Sequence, residues 1–119
     1  MLHFEISEFD SPDEIGSGSN MDATFLQMLD DARGIAGIPF RITSGFRTPS
    51  HNAYVGGVQG SSHLFGYAAD IAAPDSRTRY IIVSSLLKAG FNRIGISGKN
   101  GFIHVDNDPD KTDSVIFTY

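Results

Sequence analysis

The residues of this chain best able to do chemistry are its histidines, His3, His51, His63 and His104, set among 14 Asp and Glu and no Cys. Without Cys there is no disulfide and no thiolate, so any metal site must be built from imidazole and carboxylate groups. In FIHVD, residues 102–106, side chains alternate across an extended strand. His104 and Asp106 therefore share one face, while apolar Ile103 and Val105 take the core-facing one. The same parity in ADIAA, residues 69–73, sends Ile71 to the core and leaves Asp70 beside small Ala72. His63 precedes Asp70 in a loop that Gly66 and the pair Ala68-Ala69 allow to fold back. So folded, His63, Asp70 and His104 would put two imidazoles and a carboxylate around one cation, with a fourth position open, the catalytic arrangement that zinc prefers. Spacing alone leaves the bland alternative standing: His63 exposed in a loop, Asp70 a turn acid, His104 a half-buried strand histidine.

The elements that must position these groups are legible in outline. Residues 5–20 are polar, acidic and turn-rich, and read as an irregular lead-in over the surface. Met21, Phe25, Met28, Leu29 and Ala32 then form an amphipathic helical stripe, with Asn20 or Asp22 as cap and Gly34 and Gly37 as stops. Residues 39–44 read as a short strand ending at Gly45. Residues 48–56 read as a short helix with Thr48 as N-cap and Pro49 in the first turn. After the strand at 69–73, closed by Pro74, a second long helix is expected, capped by Ser76. Tyr80, Val83 and Leu87 form its stripe, Ile81 and Leu86 widen it, and Gly90 stands just past its end. Residues 92–97 and 101–106 flank a three-residue hairpin loop, Gly98-Lys99-Asn100, and a last strand at 115–118 adds to the sheet edge. The predicted class is α+β, a small, largely antiparallel sheet with two main helices packed on one face.

Composition bounds the possibilities. A length of 119 residues suits a single domain, and 40% hydrophobic with 19% charged residues is ordinary for a globular one. A net charge of −5 with only nine Lys and Arg argues against nucleic acid as a partner. No run is long and apolar enough for membrane insertion, and acids stand where a secretory signal would carry basic residues. The 13 glycines point to tight turns rather than long helices.

The run from Ser44 to Ile71 (SGFRTPSHNAYVGGVQGSSHLFGYAADI), followed by FIHVD, closely resembles the zinc D-alanyl-D-alanine carboxypeptidase-type peptidases. Their fold is shared with the amino-terminal signalling domain of hedgehog proteins. The opening SEFDSPD, followed by Met21-Asp22 and a helix, is similar to a small single-domain branch frequent in bacteriophages and bacteria. The resemblance implies one zinc per chain on His63, Asp70 and His104, with Arg47 gripping substrate beside the scissile bond. Ser62 either hydrogen-bonds substrate or holds the loop. The implied substrates are peptide bonds involving D-amino acids in peptidoglycan stem peptides. The chain departs from many relatives in having Gly101 where an acid acts as general base. Asp106 is the nearest substitute, either taking a proton from the activated water as a catalytic residue or orienting a ligand imidazole. The Arg that often follows HVD is absent too, an acidic turn at 107–110 standing in its place. His51 and Tyr54 are weaker candidates, better read as surface and packing, and His3 as exposed.

The whole chain, 1–119, is thus expected to be one zinc peptidase domain and a monomer. It would be made in the cytoplasm and act on the cell wall, as a phage lysis or virion-associated enzyme or a bacterial one. A non-catalytic, zinc-containing wall-binding or structural module on the same fold is the first rival. A metal-free structural protein carrying a relic motif is the second.

Overall fold

A computed structural model describes residues 1–119. Three helices, α1 (Ala23–Ala36), α2 (Pro49–Tyr54) and α3 (Ser76–Lys88), accompany five strands. These are β1 (Ile42–Ser44), β2 (Ala68–Ala72), β3 (Arg93–Ser97), β4 (Phe102–Asp106) and β5 (Val115–Thr118). The strands form one sheet in the order β1-β2-β4-β3-β5, antiparallel throughout except where β5 runs parallel to β3. The class is the α+β one expected, the sheet largely antiparallel with one parallel pair at its edge. No helix is long and apolar enough to cross a membrane.

Strand parity sorts the sheet into two chemically different faces. Ala69 and Ile71 on β2, Ile94 on β3, and Ile103 and Val105 on β4 are fully buried against Phe25 and Leu29 of α1 and Ile82 and Leu86 of α3. The opposite face carries Asp70, Gly95, His104 and Asp106, with α2 and the loops on either side of it. The helices thus press one side of the sheet into a core and leave the other for the polar groups.

Local chemistry sets the element ends. The Asp22 carboxylate accepts from Phe25 N–H to cap α1, and Gly37 ends it at φ +68. Gly34 lies inside that helix rather than at its end. The Thr48 hydroxyl caps α2 by accepting from His51 N–H, with Pro49 in the first turn.

Four expectations are corrected. Asp75, not Ser76, caps α3, its carboxylate accepting from Thr78 N–H. The face α3 buries is centred on Ile82 and Leu86, while Tyr80 and Leu87 are exposed, so the true stripe is rotated from the expected one. Residues 5–20 are not merely a surface lead-in. They fold into two 3₁₀ turns, Ile6–Phe9 and Ser17–Asn20, and with Phe4 they plug Phe9 into the core. The β3–β4 loop includes Gly101, whose backbone sits at φ +66 before the strand begins.

The rotation of α3 can be checked by substitution. Ile82→Ala should cost about 2 to 5 kcal/mol of unfolding free energy in denaturant titrations. Leu87→Ala should stay within about 0.5 kcal/mol of the parent. Equal losses at the two positions would contradict the rotated face.

Candidate metal centre

The site is assembled from two strands and one turn. Asp70 on β2 and His104 on β4 are directly opposed in the antiparallel register, so the ladder itself brings a carboxylate and an imidazole together on the open face. His104 Nδ1 lies 3.1 Å from Asp70 Oδ1. His63 comes from the 3₁₀ turn Ser62–Phe65, which Ser61 caps by accepting from His63 N–H. Gly66 closes that turn at φ +77, where an added Cβ would also collide with the Asn20 carbonyl oxygen, so the turn requires glycine. The fold-back brings His63 Nε2 to 3.3 Å from the same Asp70 Oδ1. His63, Asp70 and His104 are all buried, and their ligand atoms lie within 4.8 Å of one another.

The hydrogen bonds on the far sides of the rings determine what those inner atoms are. His63 Nδ1–H donates to the Gly45 carbonyl at 2.8 Å, and His104 Nε2–H donates to Asp106 Oδ2 at 2.6 Å. In the neutral rings each single proton is spent outward, leaving two imidazole lone pairs facing a carboxylate oxygen. Three electron-rich atoms in a buried space need a proton or a cation between them. Two nitrogens, one oxygen and outer partners fixing both tautomers are the donor set of a divalent transition-metal site, so the residues present fit zinc.

Titration reflects the same demand. Burial drives the Asp70 carboxyl up, but the His104 and His63 imidazoles against it overcome this and hold the group well below the usual carboxylate range. Burial drives the His104 imidazole down, but the Asp106 and Asp70 carboxylates overcome it and raise it above its ordinary value.

Arg47 follows β1 and is braced on every side. Its Nε donates to Ser44 Oγ at 3.0 Å, one terminal nitrogen donates to Asn52 Oδ1 at 3.2 Å, and the other to Asp70 Oδ2 at 3.4 Å. Asn52, buried on α2, is itself held by donating to the Val58 carbonyl. The guanidinium therefore stands beside the three donors in a fixed orientation, at the edge of a cleft of about 590 Å³ that they also line.

Asp106 and Ser62 each had two expected uses, and both side chains line the cleft while being bonded to groups of the protein itself. Asp106 is 1% exposed. It accepts from His104 and from Arg93 Nε at 3.1 Å through Oδ2, and from Asp108 N–H through Oδ1, so its geometry is that of a group orienting His104. The Ser62 hydroxyl donates to Asp108 Oδ2 at 2.6 Å and accepts from Lys111 Nζ at 3.1 Å, which fastens the His63 turn to the segment after β4. Gly101 lies at positive φ, and its carbonyl accepts from Ala73 N–H, so this backbone position disfavours the side chain that many relatives carry. His51 and Tyr54 stack on each other beside a separate shallow groove with Pro12 and Asp13, and His3 packs near Gly34, far from the cleft.

Several contributors had not been picked out. Arg93 shares the site face with Gly95 by simple parity on β3, so alternation could have found it. Asn52 lies within the quoted NAYVGG run. Phe117, Tyr119, Lys111 and Asp108 gave no local signal, because only the return of β5 and its preceding loop brings them to the site. Phe117 packs 5.7 Å from the His104 ring, over Gly95, where an added Cβ would overlap the phenyl ring.

Comparison with known proteins agrees with this geometry. Residues 3–106 match the family described as Peptidase M15. A 70-residue stretch is 34% identical to the zinc D-Ala-D-Ala carboxypeptidase of Streptomyces albus G. That stretch is 56% of this chain and 27% of the relative, so the chain matches only about a quarter of that longer protein.

Calorimetric zinc titrations should show affinity rising with pH by about tenfold per unit below the raised His104 pKa, with proton release, and levelling above it. A pH-independent affinity would contradict the competition between proton and metal. Asp106→Asn should weaken zinc binding by roughly 10- to 100-fold while stoichiometry at saturation stays at one.

Proposed function

The chain belongs to the peptidase M15 family, and on that premise we propose that it hydrolyses peptide bonds with one zinc ion held by His63, Asp70 and His104. The observation that carries this reading is the convergence of their three ligand atoms in a buried space that opens onto a cleft. Zinc bound there supplies Lewis acidity, polarising a carbonyl and making water a competent nucleophile near neutral pH.

The chain's own groups do the rest. The Gly45 carbonyl and Asp106 lock the two imidazole tautomers, so the ligand nitrogens need no reorganisation. Arg93 neutralises Asp106 and keeps its carboxylate aimed at His104. Arg47, already braced, presents a planar fork to a substrate carboxylate or carbonyl oxygen next to the bond under attack. Arg47, Arg93 and Lys111 face the cleft against Asp70 and Asp106. With zinc in place the cleft is cationic on a chain of net charge −5, which favours an anionic peptide.

We propose peptidoglycan stem peptides as the substrates, with bonds between D-amino acids cleaved. Support comes from the relative's printed name and from Arg47, Arg93 and Lys111 lining the cleft, where a substrate carboxylate would meet positive charge. A role in wall lysis, including release by a bacteriophage, belongs to the same reading, as does action at the wall after synthesis in the cytoplasm.

A second reading rests on a specific observation. Gly101 carries no acid, and both carboxylates lining the cleft are committed, Asp70 to the metal site and Asp106 to His104 and Arg93. A non-catalytic zinc module that binds the wall accords with that.

Digestion of purified peptidoglycan by the zinc-loaded chain, with products identified by mass, separates the two. Hydrolysis should release D-alanine or shortened stems, stop on chelation and return with zinc; binding without products would establish the module. His63→Ala should lose both zinc and hydrolysis. Arg47→Ala should keep its zinc and lose roughly 100- to 1,000-fold in kcat/KM.

A further inference from the structure

Tyr119 stands on the same wall of the cleft as the metal donors. β5 alternates, so Phe117 and Tyr119 line the cleft while Ile116 and Thr118 turn away from it. The Tyr119 N–H donates to the Ile96 carbonyl at 3.2 Å, extending the parallel ladder and holding the residue in register. Its ring packs on Phe102 at 5.2 Å and on Phe117 at 5.7 Å between centroids. Phe117 in turn lies against the imidazole of His104. A phenol is thus carried over the open face of the sheet on a set of rings that ends at a metal ligand.

The cationic donors facing the cleft each make bonds within the protein as well. Arg47 donates to Ser44, Asn52 and Asp70, Arg93 to Asp106 and Thr112, and Lys111 to Gly60 and Ser62. The Tyr119 hydroxyl donates to no group of the protein. Burial and the Asp70 and Asp106 carboxylates, opposed by Arg47 and Arg93, push its phenol up to about 12, so at neutral pH it keeps its proton. An uncommitted donor in the field of the site's charged groups suits an oxygen that gains negative charge during reaction.

We propose that Tyr119 donates a hydrogen bond to the substrate carbonyl oxygen at the bond under attack, and binds it more tightly as that oxygen becomes anionic. The proposal rests on the hydrolytic reading and adds to it a catalytic residue acting through its hydroxyl. Hydrogen bonds to a charged acceptor are roughly twice as strong as neutral ones, so the effect falls on the transition state more than on the bound substrate.

The test compares the zinc-loaded full chain with Tyr119→Phe, which keeps the ring contacts and removes only the hydroxyl. Two ligands are used: a peptide ending in D-Ala-D-Ala, and a phosphinate dipeptide whose tetrahedral phosphorus carries the anionic oxygen. Tyr119→Phe should lower kcat about 10- to 100-fold with KM within about twofold, and raise the phosphinate Kd by a similar factor. Zinc content and melting temperature should not change. An unchanged kcat with an unchanged phosphinate Kd overturns the proposal, as does a rise in KM at constant kcat. If the parent chain binds the phosphinate but cleaves no peptide, the hydrolytic reading alone fails. The Kd ratio then still decides Tyr119, equal values ending its role as a donor to the anionic oxygen.

Discussion

Two imidazole nitrogens and a carboxylate oxygen, with both ring protons turned outward, face one another in a buried space. Left alone, such an arrangement is repulsive, and burial makes it more so because little water is available to screen it. Much of the open face of the sheet exists to hold these atoms together despite that. Gly45 fixes one ring from behind; Asp106, itself held by Arg93 and the Asp108 N–H, fixes the other. Arg47 lies alongside Asp70 and offsets part of its charge. The same feature that makes the site costly to fold makes it receptive to a cation, and a cation so placed suits hydrolysis.

Two kinds of backbone economy produce the geometry. The Asp70–His104 pair follows from strand register and needs no special loop, since antiparallel partners on one face are neighbours by construction. His63 is harder to place, because it must arrive from outside the sheet. It depends on a capped turn, on a glycine with no space for a side chain, and on the Arg47 N–H bonding to the His63 carbonyl. Arg47 thereby ties the metal site to the substrate cleft through its backbone as well as its guanidinium.

What was legible in the sequence followed short-range rules. Period-two alternation put Ile103 and Val105 in the core and His104 and Asp106 on the opposite face, and period 3.6 found α1. The face of α3 was misjudged because Tyr80, Ile81, Ile82 and Val83 are all apolar or aromatic, and such a run has no unique stripe. The burial of Phe4 and Phe9 was hidden in an acidic, turn-rich context, where two aromatic anchors weigh little in any window average. The ligand set was spelled out by motif, but the roles of Ser62 and Asp106 depended on partners far along the chain, Asp108 and Lys111 for one and Arg93 for the other. Long-range pairing of this kind leaves no periodic trace. The parallel return of β5, which brings Phe117 and Tyr119 to the cleft, is of the same sort.

The clasp formed by Ser62, Asp108 and Lys111 bears on how the ion is acquired. Because these three hold the His63 turn by bonds that involve no metal ligand side chain, the turn is shaped as the chain folds rather than when an ion arrives. The ordering entropy is incurred in folding, which leaves more of the coordination energy to appear as affinity. A zinc ion bound there would then add its binding energy to a turn that has bonds of its own.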